Sequence, residues 1–382
     1  MSKTERIDFL LGNVACAEGA LYAGCRFFAA YPITPASEIA EHFVMRVYER
    51  EKSGFFIQTE DEIAAIGAVI GASWGGMKAM TATSGPGISL MSENIGLAVA
   101  TETPCVIVNV QRGGPSTGSP SLPLQADMLQ AKFGSQGDYE IIAYAPSSPQ
   151  EMFDHTVLAF NSAEKYRTPV FILSDAMVGH MYEQVRFPDP ETLHIESRKI
   201  PESYKKGASV FLEEDIAPMP VFGRGLKANV TGSTHMENGN RDVVSASVMD
   251  NEVRKLHRKL HGHIDSIVMD ECHDMEDADV ILYSYGSTFR AAFAAMELAR
   301  AQGIKAGCYR ATTVWPFPAE RIKKLTANCK AVIVCENNMG QMYYPVASAV
   351  ARGINVLKET PKTLGILSHP VDLVSRIKEV LQ

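Results

Sequence analysis

No two of the seven cysteines lie close enough to form a CxxC pair. Cys16, Cys25, Cys105, Cys272, Cys308, Cys329 and Cys335 are scattered, mostly through apolar surroundings. They read as reduced core thiols, which excludes a disulfide framework and a cluster-ligand set. Long hydrophobic runs are missing too: nothing reaches the roughly 18–20 apolar residues of a membrane span. There is no basic tract and the net charge is −8, so the electrostatic footprint of a nucleic-acid binder is absent. The opening MSKTERIDFL has Glu5 and Asp8 where a secretory signal needs an apolar region, and a cytoplasmic location is expected. Neither a GxxxxGKS/T loop nor a GxGxxG turn occurs, which removes the P-loop and dinucleotide-binding readings. What is present, 46% hydrophobic and 21% charged residues over 382 positions, is enough to build one to three globular domains.

The most informative stretch runs from Phe55 to Pro115. A short apolar run, Phe55–Gln58, precedes Thr59, and Glu62 three residues on gives the T-x-x-E pattern of a capping box at the start of a helix reaching Trp74. Gly67, Gly71 and Gly75 recur at i, i+4 and i+8, a small-residue face that another helix can approach closely. A second run, Ala79–Thr83, ends in Ser84-Gly85-Pro86-Gly87, and a helix is expected over 88–100. A third, Cys105–Val110, ends in Gln111-Arg112-Gly113-Gly114-Pro115. Strands alternating with helices predict a parallel sheet with right-handed crossovers, and such sheets bind ligands at the carboxyl ends of their strands. Glu62, Ser84–Gly87 and Arg112 all follow strand ends and so share one rim. Arg112 sits in a Gly-Gly-Pro loop that offers its side chain little to pack against.

Upstream, a helix over 13–23 leads to a strand over 26–30, and Tyr31-Pro32-Ile33-Thr34-Pro35 follows as a rigid extended turn that brings Thr34 to the same rim. Ser37 is expected to cap the next helix, running to about Arg50. Downstream of Pro115 comes a long Ser/Gly/Gln/Pro-rich connector with one short helix over 126–133. Further strands are expected over 141–144 and 169–174, with a helix over 149–165 between them. Residues 1–186 are expected to form one domain and 187–245 an irregular connection. Residues 246–382 form a second α/β unit with its leading helix. That helix carries His257 and His261 at i and i+4, a zinc-ligand spacing. No HExxH-type carboxylate accompanies them, so they read as a solvated helix face and no metal site is assigned. Tyr285-Gly286-Ser287-Thr288 reads as a structural turn.

Together these motifs carry a resemblance. YPITPAS, QTEDEIAAIGAVIGASWGG, TATSGPGISLMSE, ETPCVIVNVQRGGPSTGSP and QGDYE resemble the alpha subunits of 2-oxoacid:ferredoxin oxidoreductases, most nearly the four-subunit 2-oxoglutarate enzymes. LYSYGST, WPFPAERI and VCENNMG resemble the transketolase C-terminal-like domain of the same subunits. The resemblance implies an α/β fold: a pyrimidine-type thiamine-diphosphate-binding domain, a parallel sheet flanked by helices, followed by a transketolase C-terminal-like α/β domain. It implies oxidative decarboxylation of 2-oxoglutarate with CoA to succinyl-CoA and CO2, with reduction of ferredoxin. A branched-chain 2-oxoacid (3-methyl-2-oxobutanoate) or pyruvate is the alternative substrate, and a non-catalytic scaffold subunit the alternative role.

The resemblance also assigns residues. Glu62 matches the glutamate that hydrogen-bonds the cofactor's aminopyrimidine ring and promotes loss of the thiazolium C2 proton, with Pro32 and Ile33 beside the cofactor. Thr34 and Arg112 match positions that contact the 2-oxo-carboxylate, for which an arginine fork is suited. The family's GDG…N motif, which binds the diphosphate and its metal, is absent, and Gly137-Asp138-Tyr139 does not replace it. Thiamine diphosphate is therefore expected to be shared with a beta subunit, with Mg2+ and the 4Fe-4S clusters held by partner subunits. Gamma and ferredoxin-like subunits, ferredoxin and CoA complete the expected partners. Lys132, in the long connector, is a candidate receptor for the distal carboxylate.

Overall fold

The computed structural model describes residues 6–51, 53–201, 210–211, 216–225 and 228–382. The first part of the chain runs β1 (Arg6–Leu11), α1 (Gly12–Tyr22), β2 (Phe27–Ala30), α2 (Ser37–Met45), β3 (Phe55–Gln58), α3 (Glu62–Trp74), β4 (Ala79–Thr83) and α4 (Gly85–Ala100). It continues with β5 (Cys105–Gln111), α5 (Met128–Phe133), β6 (Ile142–Tyr144), α6 (Pro149–Tyr166), β7 (Pro169–Asp175), α7 (Ala176–His180) and β8 (Tyr182–Phe187). After the connection come α8 (Ala246–His261), α9 (Ile264–Ile267), β9 (Asp270–His273), β10 (Val280–Ser284), α10 (Thr288–Arg300), β11 (Ala306–Ala311) and β12 (Thr313–Trp315). The chain closes with α11 (Ala319–Leu325), β13 (Ala331–Cys335), α12 (Tyr343–Ala349), β14 (Asn355–Glu359) and α13 (Pro370–Leu381).

A seven-stranded sheet in the order β12-β6-β7-β5-β4-β2-β3 forms the larger unit. Its strands are parallel except β12, which pairs antiparallel with β6 although it comes from the C-terminal part of the chain. Every residue of β5 is buried, as a strand covered on both faces must be. Val106, Val108 and Val110 share a core with Ala17 and Leu21 of α1, Phe43 of α2 and Phe153 and Phe160 of α6. Cys105 and Ile107 face the opposite way, toward Ile66 and Val69 of α3 and Met91 and Ile95 of α4. That second core is continuous with Tyr283, Tyr309, Val332 and Val334 of a five-stranded sheet, β14-β13-β10-β11-β9, so one apolar layer joins the two units.

Some features depart from expectation. Thr59 does not cap α3. Asp61 is the N-cap, its Oδ1 accepting from Ala64 N at 2.8 Å, while Thr59 Oγ1 donates to Asp61 O. Glu62 is therefore the first helical residue, with no capping partner to serve. Asp and Thr are both good caps, and the sequence offers both two residues apart. The helix expected over 251–267 instead runs as α8 from Ala246 to His261, with α9 as a separate turn. The hairpin-like pairing of β1 with β8 was not foreseen. In the 187–245 connection, the regular pairing among the described residues is a single bridge, His235 with Arg241; residues 202–209, 212–215 and 226–227 lie outside the description.

Helix α8 is tied to the larger unit by a buried charge cluster. Glu102 receives Lys255 Nζ at 2.7 Å and Lys259 Nζ at 3.0 Å, and Lys259 also donates to Arg167 O at 2.8 Å. Burial alone would raise the Glu102 carboxyl, but Lys259, Arg167 and Lys255 outweigh it and hold it at about 2. An unfolded glutamate titrates at about 4.3, so the unfolded chain binds more protons between the two values. The stabilisation is complete above that range and is lost as pH falls toward 2. Denaturation midpoints of the full chain should therefore drop between about pH 5 and pH 2, and Glu102→Gln should flatten part of that slope. An acid limb identical in the variant would remove Glu102 as a contributor.

Candidate functional site

Chain order along the larger sheet reverses between β2 and β4: the strand after β2 lies to one side, and β4 with β5 to the other. A crevice outside the carboxyl ends at such a point is where open α/β sheets take ligands. The residues leaving β2, β4 and β5 are Tyr31–Pro35, Ser84–Gly87 and Arg112–Pro115.

Glu62 sits on this rim, at the N-terminus of α3, and is 4% exposed. Its carboxylate receives one long hydrogen bond, from Thr83 Oγ1 at 3.5 Å. The first turn of α4 passes directly over it. A Cβ placed on Gly87 would fall 2.6 Å from Glu62 Oε1 and 1.9 Å from Thr83 Oγ1, so only glycine leaves the notch open. On the other side of the same turn, a Cβ on Gly85 would lie 3.3 Å from Asp127 Oδ2. Two carboxylates thus flank one helix start.

Arg112 and Thr34 are brought together, but not as a bare guanidinium beside a hydroxyl. Arg112 is buried, 7% exposed. Its Nη1 donates to the Thr34 backbone carbonyl at 2.6 Å and its Nη2 to Thr117 O at 2.9 Å, which corrects the expectation of a side chain with little to pack against. Arg112 Nε finds no partner among the described residues. The Pro32-Ile33-Thr34 turn is held from the far side by Asn13, whose Nδ2 donates to Pro35 O at 2.7 Å. Pro32 and Thr34 themselves are exposed.

Arg112 lines a cleft of about 720 Å³ with Asp127, Gln130, Asn338, Gln341 and Tyr344. The long connector forms one wall, pinned by the C-terminal unit. Asn338 Nδ2 donates to Gln125 O at 2.6 Å, Asn337 N to Gln125 Oε1 at 3.1 Å, and Leu129 N to Gln341 Oε1 at 3.1 Å. The Glu336-Asn337-Asn338 string is therefore a clamp on this wall. Burial raises the Asp127 carboxyl, against Asn109 and Arg112, which pull it down. Asn109 Nδ2 donates to Asp127 at 3.0 Å. Asn109 and Asp127 were missed from the sequence, although a polar residue in the middle of CVIVNVQ is a visible signal. Lys132 is committed elsewhere: its amine bonds Tyr139 O and lies 3.2 Å from Glu140 Oε1.

Several buried polar atoms here lack partners among the described residues: Asn109 Oδ1, Ser84 Oγ, Thr81 Oγ1 and Arg112 Nε. Buried polar atoms are normally satisfied; Ser84 and Arg112 directly follow strand ends, whereas Thr81 and Asn109 lie within β4 and β5. Beside the site, Ile63, Gly67 and Gly71 on α3 and Leu90 on α4 are exposed. Among the described residues, nothing packs within 4 Å of where a side chain on Gly67 or Gly71 would stand.

The family description "pyruvate flavodoxin/ferredoxin oxidoreductase, thiamine diP-binding" matches residues 18–255, and "pyruvate:ferredoxin oxidoreductase core domain II" matches residues 278–366. The chain belongs to this oxidoreductase family. Within it, the chain is 49% identical over 368 residues to 2-oxoglutarate synthase subunit KorA of Methanocaldococcus jannaschii, covering 96% of this chain and 98% of that one. It is 37% identical over 376 residues to ketoisovalerate oxidoreductase subunit VorB of Methanothermobacter marburgensis, covering 97% and 96%. A solved 2-oxoglutarate:ferredoxin oxidoreductase of Magnetococcus marinus, with 2-oxoglutarate, coenzyme A and succinyl-CoA bound, superposes with a TM-score of 0.92 at 35% identity. This chain is covered to 98% and spans 65% of that longer chain. An inactive split-gene transketolase tetramer, at 13% identity and a TM-score of 0.55, shares the fold alone, across 97% of this chain and 96% of that one. The expected fold is the one found: a thiamine-diphosphate-binding α/β unit followed by a second α/β unit.

The family's cofactor can be tested against the residues present. A buried carboxylate with one weak hydrogen bond, in a notch kept open by Gly87, fits the aminopyrimidine end of thiamine diphosphate. For the diphosphate end, the sequence contains no GDG…N motif.

Proposed function

We propose that this chain is the alpha subunit of a 2-oxoglutarate:ferredoxin oxidoreductase. The complex would convert 2-oxoglutarate and CoA to succinyl-CoA and CO2 and pass two electrons to ferredoxin. The observation that carries the reading is Glu62, buried and nearly unpartnered beneath the first turn of α4. Subunits named KorA in three methanogens, 46–49% identical over almost the whole chain, support the substrate.

When bound, thiamine diphosphate supplies the electron sink that lets a 2-oxoacid lose CO2. Glu62 would hold the aminopyrimidine end through a hydrogen bond in which its carboxyl can share a proton, and Pro32 and Ile33 would border that end. Arg112 presents its unpartnered Nε edge to the substrate carboxylate, and Thr34 adds its exposed hydroxyl. A beta subunit would bring the diphosphate and Mg2+ site together with cluster cysteines, which this chain does not spell out. The open face of Ile63, Gly67, Gly71 and Leu90 beside Glu62 is where that subunit would close the site. Gamma and ferredoxin-like subunits complete the assembly in the cytoplasm.

A second reading keeps the chemistry and changes the acid. With Lys132 engaged by Glu140, the connector has lost the cation proposed for a distal carboxylate, which 3-methyl-2-oxobutanoate does not need.

The chain alone should bind thiamine diphosphate with magnesium weakly and reduce no acceptor. Adding a chain that carries GDG…N and cluster cysteines should restore both, and a panel of 2-oxoacids should then rank 2-oxoglutarate first. Turnover by the isolated, cluster-free subunit would overturn the shared-site reading, and a preference for 3-methyl-2-oxobutanoate would select the second.

A further inference from the structure

In the sequence, no carboxylate stands beside the two histidines of α8. The fold places one there. Glu140, just ahead of β6, reaches α8 from the other side of the chain: its Oε1 is 3.7 Å from His257 Nε2 and 3.3 Å from His261 Nε2. The three ligand atoms all lie within 4.8 Å of one another. Bond lengths of about 2.0–2.1 Å at a tetrahedral zinc put neighbouring ligand atoms roughly 3.3–3.4 Å apart, so the set contracts onto one ion with small side-chain adjustments. The imidazoles stack, with ring centroids 4.1 Å apart and planes at 17°, one helical turn apart on the same face. Glu140 is nearly buried, whereas both histidines are partly exposed, so the remaining coordination positions open outward.

We infer that Glu140, His257 and His261 form a binding site for a divalent transition-metal ion of the zinc class, which clips α8 to the segment entering β6. Two imidazoles and one carboxylate suit zinc and its neighbours and disfavour magnesium, which demands oxygen ligands. Lys132 is the competitor, 3.2 Å from Glu140 Oε1, but its amine already has a second acceptor in Tyr139 O and packs over the Tyr139 ring, so it can withdraw without being stranded. The clip lies on α8 beside the Glu102–Lys255–Lys259 cluster, and it needs neither the cofactor nor any partner subunit. Its failure would leave the proposed reaction untouched.

The test is equilibrium dialysis of the purified full chain against zinc chloride, with metal counted by mass spectrometry, alongside thermal melts with and without zinc. The wild type should hold one zinc per chain, unaffected by excess magnesium, and zinc should raise its melting temperature. Loss of a group that merely supports a metal ligand typically costs about 10–100-fold in affinity, so His261→Gln and Glu140→Gln should each weaken binding by at least about tenfold and abolish the thermal shift. Circular dichroism establishes that each variant is folded, and His257→Gln, at a more exposed position, serves if Glu140→Gln is not. Wild-type zinc retention no greater than that of His261→Gln would overturn the site. So would undiminished binding by Glu140→Gln, which would mean that a helical histidine pair alone captures the ion.

Discussion

Glu62→Gln should slow exchange of the C2 hydrogen of bound thiamine diphosphate by about 10²–10⁴-fold in the assembled enzyme, the usual contribution of a positioned acid–base group. The amide keeps the shape that fits under Gly87 and can still accept from Thr83 Oγ1. It cannot share a proton with the aminopyrimidine. The competing account is electrostatic: a carboxylate in the first turn of α3 favours the helix dipole, worth about 0.3–1 kcal/mol. It is not a capping role, because Asp61 holds that position. The two accounts predict opposite outcomes. Loss of a dipole partner shows as a slightly lower melting temperature with normal exchange, whereas loss of the proton relay shows as slow exchange at nearly unchanged stability. Exchange followed by rapid acid quench and proton NMR of the released cofactor reads this directly. A normal rate in the glutamine variant would falsify the proton-sharing role.

How far these residues were legible follows from how local their causes are. Strands β4, β5 and β7 are buried along their whole length and so appear as short, mostly apolar runs, and the helices between them complete a parallel sheet with few alternatives. The rim position of Glu62 and Arg112 came with that pattern. Strand β12 did not, because three residues, Thr313-Val314-Trp315, carry no period of their own and pair with β6, far away along the chain. Arg112 was misjudged for a related reason. Gly113, Gly114 and Pro115 say that the backbone is tightly shaped, but not that the carbonyls of Thr34 and Thr117 converge on the preceding side chain. Glu140 belongs with His257 and His261 by tertiary structure alone. Asn109 was readable in principle: an amide buried in the centre of a sheet needs partners, and it has one at Nδ2 and none at Oδ1.

Arg112→Ala should lower kcat/KM for the 2-oxoacid by roughly 30- to 5,000-fold, the equivalent of about 2–5 kcal/mol for removing one side of a desolvated ion pair. The structure adds a cost not foreseen from the loop. Two carbonyls lose their donor, and each such unsatisfied group costs about 1–3 kcal/mol when buried. Reduced stability therefore accompanies reduced activity, and activity alone cannot separate gripping substrate from holding the Pro32-Ile33-Thr34 turn in place. The C2-exchange assay separates them. Exchange precedes substrate binding and, on the proposed reading, would depend on Glu62 and on the placement of the cofactor beside Pro32 and Ile33. If Arg112 acts on the carboxylate, the alanine variant exchanges C2 at the wild-type rate, binds thiamine diphosphate normally and fails only with substrate. If its role is to hold the turn, exchange and cofactor affinity fall together with kcat/KM. Lysine sharpens the distinction: it keeps a charge for the carboxylate but loses the planar fork that reaches two carbonyls at once. Partial recovery of kcat/KM in Arg112→Lys with normal exchange assigns the residue to the substrate. Slow exchange in both variants assigns it to the turn.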